Sequence, residues 1–221
     1  MNERILNLVI DSFWKILKPG LERTIPLTLL SFSFALVIAT VVALIQVAKI
    51  PVLKNICRFY IWIIRGTPLL VQLFVVFFGF PSIGILIDPL PAAVLVFSIN
   101  EGAYSSETIR AAIEAVPKGQ LEAGECVGMS WLQTMKRIVL PQALRIAFPT
   151  LFNSLISMVK DTSLAANITV TEMFMQTQRI VARTYEPLVL YLEVGFIYLL
   201  ICTILTKVQS WGEKQFKKRG Y

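Results

Sequence analysis

Three ionisable residues lie inside otherwise apolar stretches of this 221-residue sequence, and their chemistry suits the binding of a zwitterion. Glu101 interrupts an apolar run that begins at Pro91, and Lys160 and Asp161 interrupt another that begins at Pro149. Charged groups within a hydrocarbon layer are costly, so they usually face the interior of a helix bundle or a water-filled cavity. At ~1.5 Å of rise per residue, Glu101 and Lys160 lie about 15 Å into their runs. We therefore expect both near the middle of a bilayer.

A free amino acid carries the charges that complement these side chains. Lys160 would pair with its α-carboxylate, and Asp161 or Glu101 would pair with its α-ammonium group. Neutral hydrogen bonds would come from the neighbouring polar residues Asn100, Tyr104, Thr162 and Ser163. The alternative is a structural Glu101–Lys160 ion pair that only holds helices together or closes a gate. Both interpretations are open from the sequence.

The composition is that of an integral membrane protein. Hydrophobic residues make up 56% of the chain, charged residues make up only 16%, and the mean hydropathy is +0.69. The sequence contains no histidine, so a His-based proton relay, metal site or catalytic triad is excluded. The three cysteines lack metal-binding spacing and are expected to be free thiols. The sequence predicts no catalytic residue and no metal site.

Five apolar segments predict an all-α fold with five transmembrane helices. We expect that a chain of this length has no room for an additional soluble catalytic domain. The segments are residues 27–45, 59–80, 91–109, 149–170 and 187–207. The second is interrupted at residues 65–68, where Pro68 lacks a backbone donor and, with Thr67, is expected to bend or start a helix. Arg65 lies near one end of this segment, and a gate role and snorkelling to the interface are both open.

The regions at the two ends of the transmembrane domain, residues 21–207, are expected to be amphipathic or basic. Residues 1–20 carry an apolar stripe at helical spacing and predict an interfacial helix that ends near Pro19-Gly20, with a flexible tail as the alternative. The tail, residues 208–221, is rich in lysine. We expect it to lie next to anionic lipid rather than to bind nucleic acid.

The distribution of Lys and Arg predicts the orientation of the chain. With five spans the two termini face opposite sides, and thirteen Lys and Arg residues lie on one side against six on the other. The more basic side is expected to be cytoplasmic. The N-terminus would then lie outside the membrane, and the C-terminus and residues 118–141 would lie in the cytoplasm.

Residues 118–141, hereafter the coupling segment, form a polar stretch that predicts two short helices joined at Gly128. Ser130 followed by Gln133 is a capping-box pattern, so the second helix is expected to begin at Ser130. Gly128 and Pro141 are expected to mark the ends of these helices. A compact helical knob of this kind suits docking to a partner, and an ordinary amphipathic loop helix is the alternative.

Four motifs in this order resemble those of polar amino-acid ABC transporter permeases, which are type I importers of the EAA-loop family. Glu122-Ala123-Gly124, Gly128 and residues 138–141 (IVLP) have the spacing of the EAA loop, with Gly124 in place of the usual second Ala. This glycine is expected to weaken the first short helix by ~1 kcal/mol. The other three motifs are RGTPLLVQ at 65–72, residues 102–120 and KDTSL at 160–164.

The resemblance covers residues 20–209 and implies a MetI-like permease fold with five transmembrane helices, in the inner (cytoplasmic) membrane of a bacterial cell. It implies two permease subunits per transporter, either identical or different. Residues 100–107 (NEGAYSSE) favour L-cystine as the substrate, and arginine, histidine or lysine remain alternatives.

The resemblance also implies that the coupling segment docks on a separate ATP-binding cassette subunit. The residues expected at this contact are Glu122, Ala123, Gly124, Gly128, Leu140 and Pro141. The sequence contains no G-x-x-x-x-G-K-[ST] motif, so ATP and Mg²⁺ would be held by the partner and not by this chain. An extracytoplasmic binding protein would deliver the amino acid, and the chain would be a transport subunit and not an enzyme.

Two other classes of function are open from the sequence. A secondary transporter driven by a proton or sodium gradient would suit the intramembrane carboxylates, but the sequence has no visible inverted repeat. A membrane scaffold would have no need for three ionisable residues at one depth.

Overall fold

All regular secondary structure in the described part of the chain, residues 3–48 and 50–218 of a computed structural model, is helical. In chain order the α-helices are α1 (Glu3–Pro19), α2 (Ile25–Val47), α3 (Pro51–Gly66), α4 (Leu69–Phe74), α5 (Pro89–Glu114), α6 (Lys118–Cys126), α7 (Trp131–Thr134), α8 (Leu140–Asp161), α9 (Met173–Thr184) and α10 (Pro187–Lys218). Short π-helices span Gly20–Thr24, Val75–Gly79 and Met135–Val139, and 3-10 helices span Phe80–Ile83 and Thr162–Ile168. The all-α prediction is confirmed. The first two residues of the predicted interfacial segment and the last three of the basic tail lie outside the described residues.

The predicted boundary at Pro19-Gly20 is a change of helix type rather than an end of helical structure. α1 ends at Pro19, but the backbone continues through the π-helical turn Gly20–Thr24 directly into α2. Gly20 packs closely against the start of α9, because a Cβ atom there would lie 3.0 Å from the Sδ atom of Met173. α1 also packs along α9, so part of the predicted interfacial helix contacts the rest of the protein.

Two helical stretches among the described residues are long and apolar enough to cross a membrane by themselves, Glu3–Val47 and Pro187–Phe216. A third such stretch exists if α3 and the bent helical segment that follows it, up to Ile83, are counted together as one span. The predicted interruption is confirmed, because α3 ends at Gly66 and Pro68 has an extended backbone with φ −64° and ψ 137°. α5 and α8 have the length of a span, but polar residues such as Glu101 and Arg145 lower their hydropathy.

The chain folds into two compact units that each draw on several parts of the sequence. The first unit contains Met1–Ser33, Thr67–Ser98 and Leu155–Val208, and the second contains Phe34–Gly66, Ile99–Ser154 and Gln209–Tyr221. The division between the units cuts through α2, α5, α8 and α10.

Each unit has its own core. In the first unit one cluster is built around Phe97 and Ile168, and another is built around Ile16, Met173 and Leu190. The buried residues of the second unit are smaller, and many are alanines on α2, α5 and α8: Ala35, Ala39, Ala43, Ala103, Ala112, Ala143 and Ala147. Small side chains let helix backbones approach closely, which is how membrane helices gain packing energy.

Candidate substrate-binding residues and coupling segment

α5 carries the polar candidates of the second unit at and just after its middle. Asn100 and Glu101 are half-buried, and the hydroxyl of buried Ser105 donates a hydrogen bond to Glu101 Oε1 over one helical turn. The carboxylate is therefore oriented along its own helix by a neutral donor. The sequence did not single out Ser105, although its i+4 spacing from Glu101 was visible there.

Arg65 and Tyr104, predicted separately as a gate residue and a substrate residue, lie together in the second unit. The guanidinium carbon of Arg65 lies 5.1 Å from the centre of the Tyr104 ring, which is a cation–π contact. Tyr104 is 42% exposed, so the ring can also meet another partner. This pairing was not predicted, because the two residues belong to different motifs and lie 39 positions apart.

The glycine next to Glu101 allows two helices to approach α5. A Cβ atom at Gly102 would lie 2.8 Å from Ile38 Cγ2 on α2 and 3.1 Å from the Tyr60 hydroxyl on α3. The Tyr60 hydroxyl donates a 2.6 Å hydrogen bond to the Ile99 carbonyl. α2, α3 and α5 are thus fixed against one another beside Glu101. No local pattern in the sequence indicated Tyr60.

The KDTSL motif lies in the first unit, where α8 ends at Asp161 and a 3-10 helix begins. The side chains of Lys160 and Asp161 are exposed. Thr162 is fully buried, and its hydroxyl donates to the Val159 carbonyl at 2.7 Å. Thr162 therefore faces the interior of its unit. The Ser163 hydroxyl donates to the Lys160 carbonyl at 2.7 Å.

Lys160 and Ser163 line a cavity of about 490 Å³ within the first unit. Phe174, Tyr191 and Tyr198 form the aromatic part of its wall. The Phe174 and Tyr191 rings stack with centroids 5.9 Å apart and an interplanar angle of 27°. The cavity therefore offers an ammonium group next to flat apolar surfaces. No pattern in the sequence singled out these aromatic residues.

A buried carboxylate supports this aromatic wall. Glu172 caps α9 by accepting a 2.6 Å hydrogen bond from the Met175 N–H, and it accepts another, 3.1 Å long, from the Tyr198 hydroxyl. Burial raises the pKa of the Glu172 carboxyl above its usual value. The neighbouring Met173 N–H donates to Thr24 Oγ1 at 3.4 Å, so the start of α9 is tied to both α10 and the π-helical turn after α1.

The coupling segment contains the two short helices that the sequence predicted, and Gly128 joins them. Gly128 has φ +77°, its N–H donates to the Glu125 carbonyl, and the Met129 N–H donates to the Gly124 carbonyl. These bonds form a Schellman motif, which favours glycine because of the positive φ. The predicted capping box is present, since the Ser130 N–H donates to Gln133 Oε1 at 2.9 Å and the Gln133 N–H donates to Ser130 Oγ at 3.4 Å.

Gly124 has a packing role in addition to its expected cost. A Cβ atom at this position would lie 2.6 Å from Thr134 Oγ1 and 2.7 Å from Thr134 Cγ2. The glycine therefore allows α6 to lie directly against α7, where alanine would collide with Thr134.

Pro141 does not end the helical knob, which corrects the expectation from the sequence. The backbone is helical from Trp131 through α7, the π-helix Met135–Val139 and α8 to Asp161, and Leu140 is the first residue of α8. A proline cannot donate to a carbonyl one turn earlier, and the π-helical turn just before Pro141 changes the bonding pattern at that point. The coupling segment is thereby joined to α8 without a loop.

The surface of the coupling segment presents apolar side chains beside the predicted contact residues. Val127 is 75% exposed and Leu132 is 66% exposed. Glu122 and Ala123 are exposed as well. The sequence predicted the docking role but not these two apolar residues.

The described residues form an all-helical membrane protein with polar residues in its membrane helices. A capped two-helix segment adjoins one of these helices. This is the architecture expected of the membrane component of a transporter. Residues 35–218 match the family described as binding-protein-dependent transport system inner membrane component, and the chain belongs to this family. It is 48% identical over 213 residues to the L-cystine transport system permease protein TcyB of Bacillus subtilis (strain 168), covering 96% of this chain and 91% of that one.

Solved structures agree with this assignment. The crystal structure of an amino acid ABC transporter with histidines is similar to this chain with a TM-score of 0.88 and 31% identity, covering 97% of this chain and 100% of the other. An inward-facing structure of the MetNI methionine ABC transporter shares the fold, with a TM-score of 0.75, 18% identity and coverage of 97% and 99%. The predicted resemblance to amino-acid ABC permeases and the MetI-like fold are confirmed.

Proposed function

We propose that this chain is the permease subunit of an ATP-driven importer for polar amino acids, with cystine as the first candidate substrate. The observation that carries this proposal is the continuity of the coupling segment with α8. α8 runs as one helix from Leu140, beside the capped knob, to Asp161, a length of ~33 Å at 1.5 Å per residue. Along the chain, α8 therefore connects the knob to Lys160 and Asp161 through one continuous helix that contains Pro149.

The proposed topology has five membrane spans. They would be formed by α2, by α3 with α4, and by α5, α8 and α10, with the N-terminus outside and the C-terminus in the cytoplasm. The excess of Lys and Arg on the side of the coupling segment supports this orientation. The protein would reside in the inner membrane of a bacterial cell.

The coupling segment would dock on an ATP-binding cassette subunit. Glu122, Ala123 and the exposed apolar residues Val127 and Leu132 would form the contact. Gly128 shapes the corner between the two short helices, and Gly124 and Pro141 set their packing and their junction with α8. ATP and Mg²⁺ would bind to the partner, whose closure would move two permease subunits as rigid bodies between inward-open and outward-open states.

An extracytoplasmic amino-acid-binding protein would deliver the substrate. Lys160 would receive the α-carboxylate, and Phe174 and Tyr191 would cover the side chain of the amino acid. Glu101 and Asp161 would receive ammonium groups, with Asn100, Tyr104 and Ser163 as neutral donors or acceptors. The similarity to an L-cystine permease supports cystine, a long substrate with two ammonium and two carboxylate groups.

Reconstitution tests this proposal. The chain is purified with its ATPase partner and placed in proteoliposomes together with its binding protein, and uptake of labelled cystine, arginine and histidine is compared. We expect cystine uptake that requires ATP, is blocked by vanadate and persists when ionophores dissipate ion gradients. Uptake by the chain without an ATP-hydrolysing companion, or uptake abolished by ionophores, would contradict the proposal and support a gradient-driven transporter.

A further inference from the structure

A second cavity, of about 710 Å³, lies in the second unit among the ends of three helices. Its wall includes Lys54 and Arg58 on α3, Arg110 and Glu107 on α5, and Lys118 at the start of α6. The candidate substrate residues of α5 do not line it. Lys54 lies in the first turn of α3, Arg110 near the end of α5 and Lys118 at the start of α6, whereas Arg58 is in the middle of α3.

Some of the charges in this cavity neutralise one another. Arg110 pairs with Glu107 at 2.9 Å and with Glu114 at 2.8 Å, and Gln46 Nε2 donates to Glu107 Oε1 at 3.1 Å. One guanidinium thus serves two carboxylates. Both acidic side chains of the cavity wall are therefore paired with Arg110. The lysines and the second arginine of the wall have no acidic partner among its described residues.

Lys54, Arg58 and Lys118 are these remaining cations. Across residues 3–48 and 50–218 none of the three forms an ion pair with a carboxylate. With Arg110 the wall carries four cations against the two carboxylates Glu107 and Glu114, so the cavity has a positive excess. Such an excess favours an anion as occupant.

The cavity continues onto an apolar surface along α3. Lys54, Arg58 and Trp62 are spaced by four residues, so they form one stripe of the helix, and Trp62 lines the cavity. Trp62 is 70% exposed and Phe59 is 60% exposed, with ring centroids 5.9 Å apart. A positive cavity that opens onto exposed aromatic rings matches a molecule with an anionic head and an apolar chain.

We propose that this cavity binds the phosphate headgroup of an anionic phospholipid, whose acyl chains lie along the Phe59 and Trp62 face of α3. Basic pockets between membrane helices hold such headgroups at the membrane surface. The site goes beyond the proposed transport function. It requires only that this end of α3 and α5 lies at a membrane surface, and not that the chain couples to an ATPase.

Native mass spectrometry of the full chain in detergent tests the site by titration with phosphatidylglycerol and with phosphatidylcholine of the same acyl chains. We expect saturable binding of phosphatidylglycerol and much weaker binding of phosphatidylcholine. The double variant Lys54→Gln/Arg58→Gln should lose roughly thirty-fold in affinity for phosphatidylglycerol, because each cation contributes about a factor of five. The charge-preserving variant Lys54→Arg/Arg58→Lys should retain most of the binding.

The matched control is Arg179→Gln/Arg183→Gln, which removes the same charge from exposed positions on α9. It should bind phosphatidylglycerol as the wild type does. An equal loss in both double variants would overturn the proposal, because the lipid would then respond to the total charge and not to the cavity. Binding of sn-glycerol 3-phosphate as tight as that of the lipid would also overturn it, because the cavity would then be a soluble phosphate site.

Discussion

The coupling segment and the surroundings of Glu101 on α5, the candidate membrane site, are held in different ways. The corner at Gly128 is fixed by bonds between residues at most five positions apart, namely the Schellman motif and the Ser130–Gln133 capping box. The surroundings of Glu101 are fixed by residues from α2 and α3, such as Ile38 and Tyr60, which lie about 40 to 60 positions away. Local geometry can therefore be inferred from a motif, whereas the arrangement of the membrane site cannot.

The largest effect is expected from a substitution in the coupling segment, which leaves the packing around Glu101 unchanged. Gly128→Asp should abolish coupled transport while the protein still inserts, because the corner has φ +77° and a side chain there would project into open space, where the ATPase partner would sit. Uptake in proteoliposomes with the partner should fall by at least about a hundred-fold, equivalent to about 2.8 kcal/mol of coupling.

Gly128→Asn is the matched control, since Asn tolerates a positive φ about as well as Asp and differs mainly in charge. Asn should retain more uptake than Asp if the negative charge disrupts docking. Wild-type uptake by Gly128→Asp would contradict the docking role of this corner.

The second prediction concerns the membrane site and decides between the two interpretations of Glu101. Glu101→Gln should raise the substrate concentration needed for half-maximal ATP hydrolysis by roughly ten-fold or more, because a charged hydrogen bond to an ammonium group contributes about 1.5–3 kcal/mol. Ser105→Ala should have a smaller effect, since it removes only the donor that orients the carboxylate.

A structural ion pair would give a different result at the same position. Glu101→Gln would then lower the unfolding temperature and leave the dependence on substrate concentration unchanged. ATPase assays over a range of cystine, arginine and histidine concentrations, run beside thermal unfolding, separate the two outcomes.

The sequence was sufficient for the elements that depend on local chemistry. The helix break at Pro68, the two helices of the coupling segment and the capping box all follow from backbone requirements of one or a few residues. The aromatic wall around Lys160 was not predictable, because Phe174, Tyr191 and Tyr198 have the same types and spacing as lipid-facing residues. The role of Pro141 was misjudged because a π-helical turn leaves no mark in composition or periodicity.

The third prediction tests the long-range packing directly. Gly102→Ala should destabilise the protein by about 1–3 kcal/mol, because the new methyl group would lie 2.8 Å from Ile38 Cγ2. Ile38→Ala should restore part of this loss in the double variant. Gly195→Ala on α10 is the control for stability, since no atom lies within 4 Å of a Cβ atom there. Thermal unfolding in detergent measures all four proteins, and equal stability of Gly102→Ala and wild type would show that α2 can move away without cost.

The smallest effect is expected where the coupling segment itself depends on a contact beyond its local motifs. Gly124→Ala improves helix propensity by up to ~1 kcal/mol but brings the new methyl group within 2.6 Å of Thr134 Oγ1, so the net destabilisation should be about 1 kcal/mol. Thr134→Ala removes the colliding atoms and a buried hydroxyl that has no hydrogen-bond partner among the described residues, so Gly124→Ala/Thr134→Ala should be at least as stable as the wild type. A double-mutant cycle on unfolding free energy measures this coupling. Additive effects of the two substitutions would mean that Gly124 and Thr134 do not constrain each other. The whole coupling segment would then be held by its local hydrogen-bonding motifs.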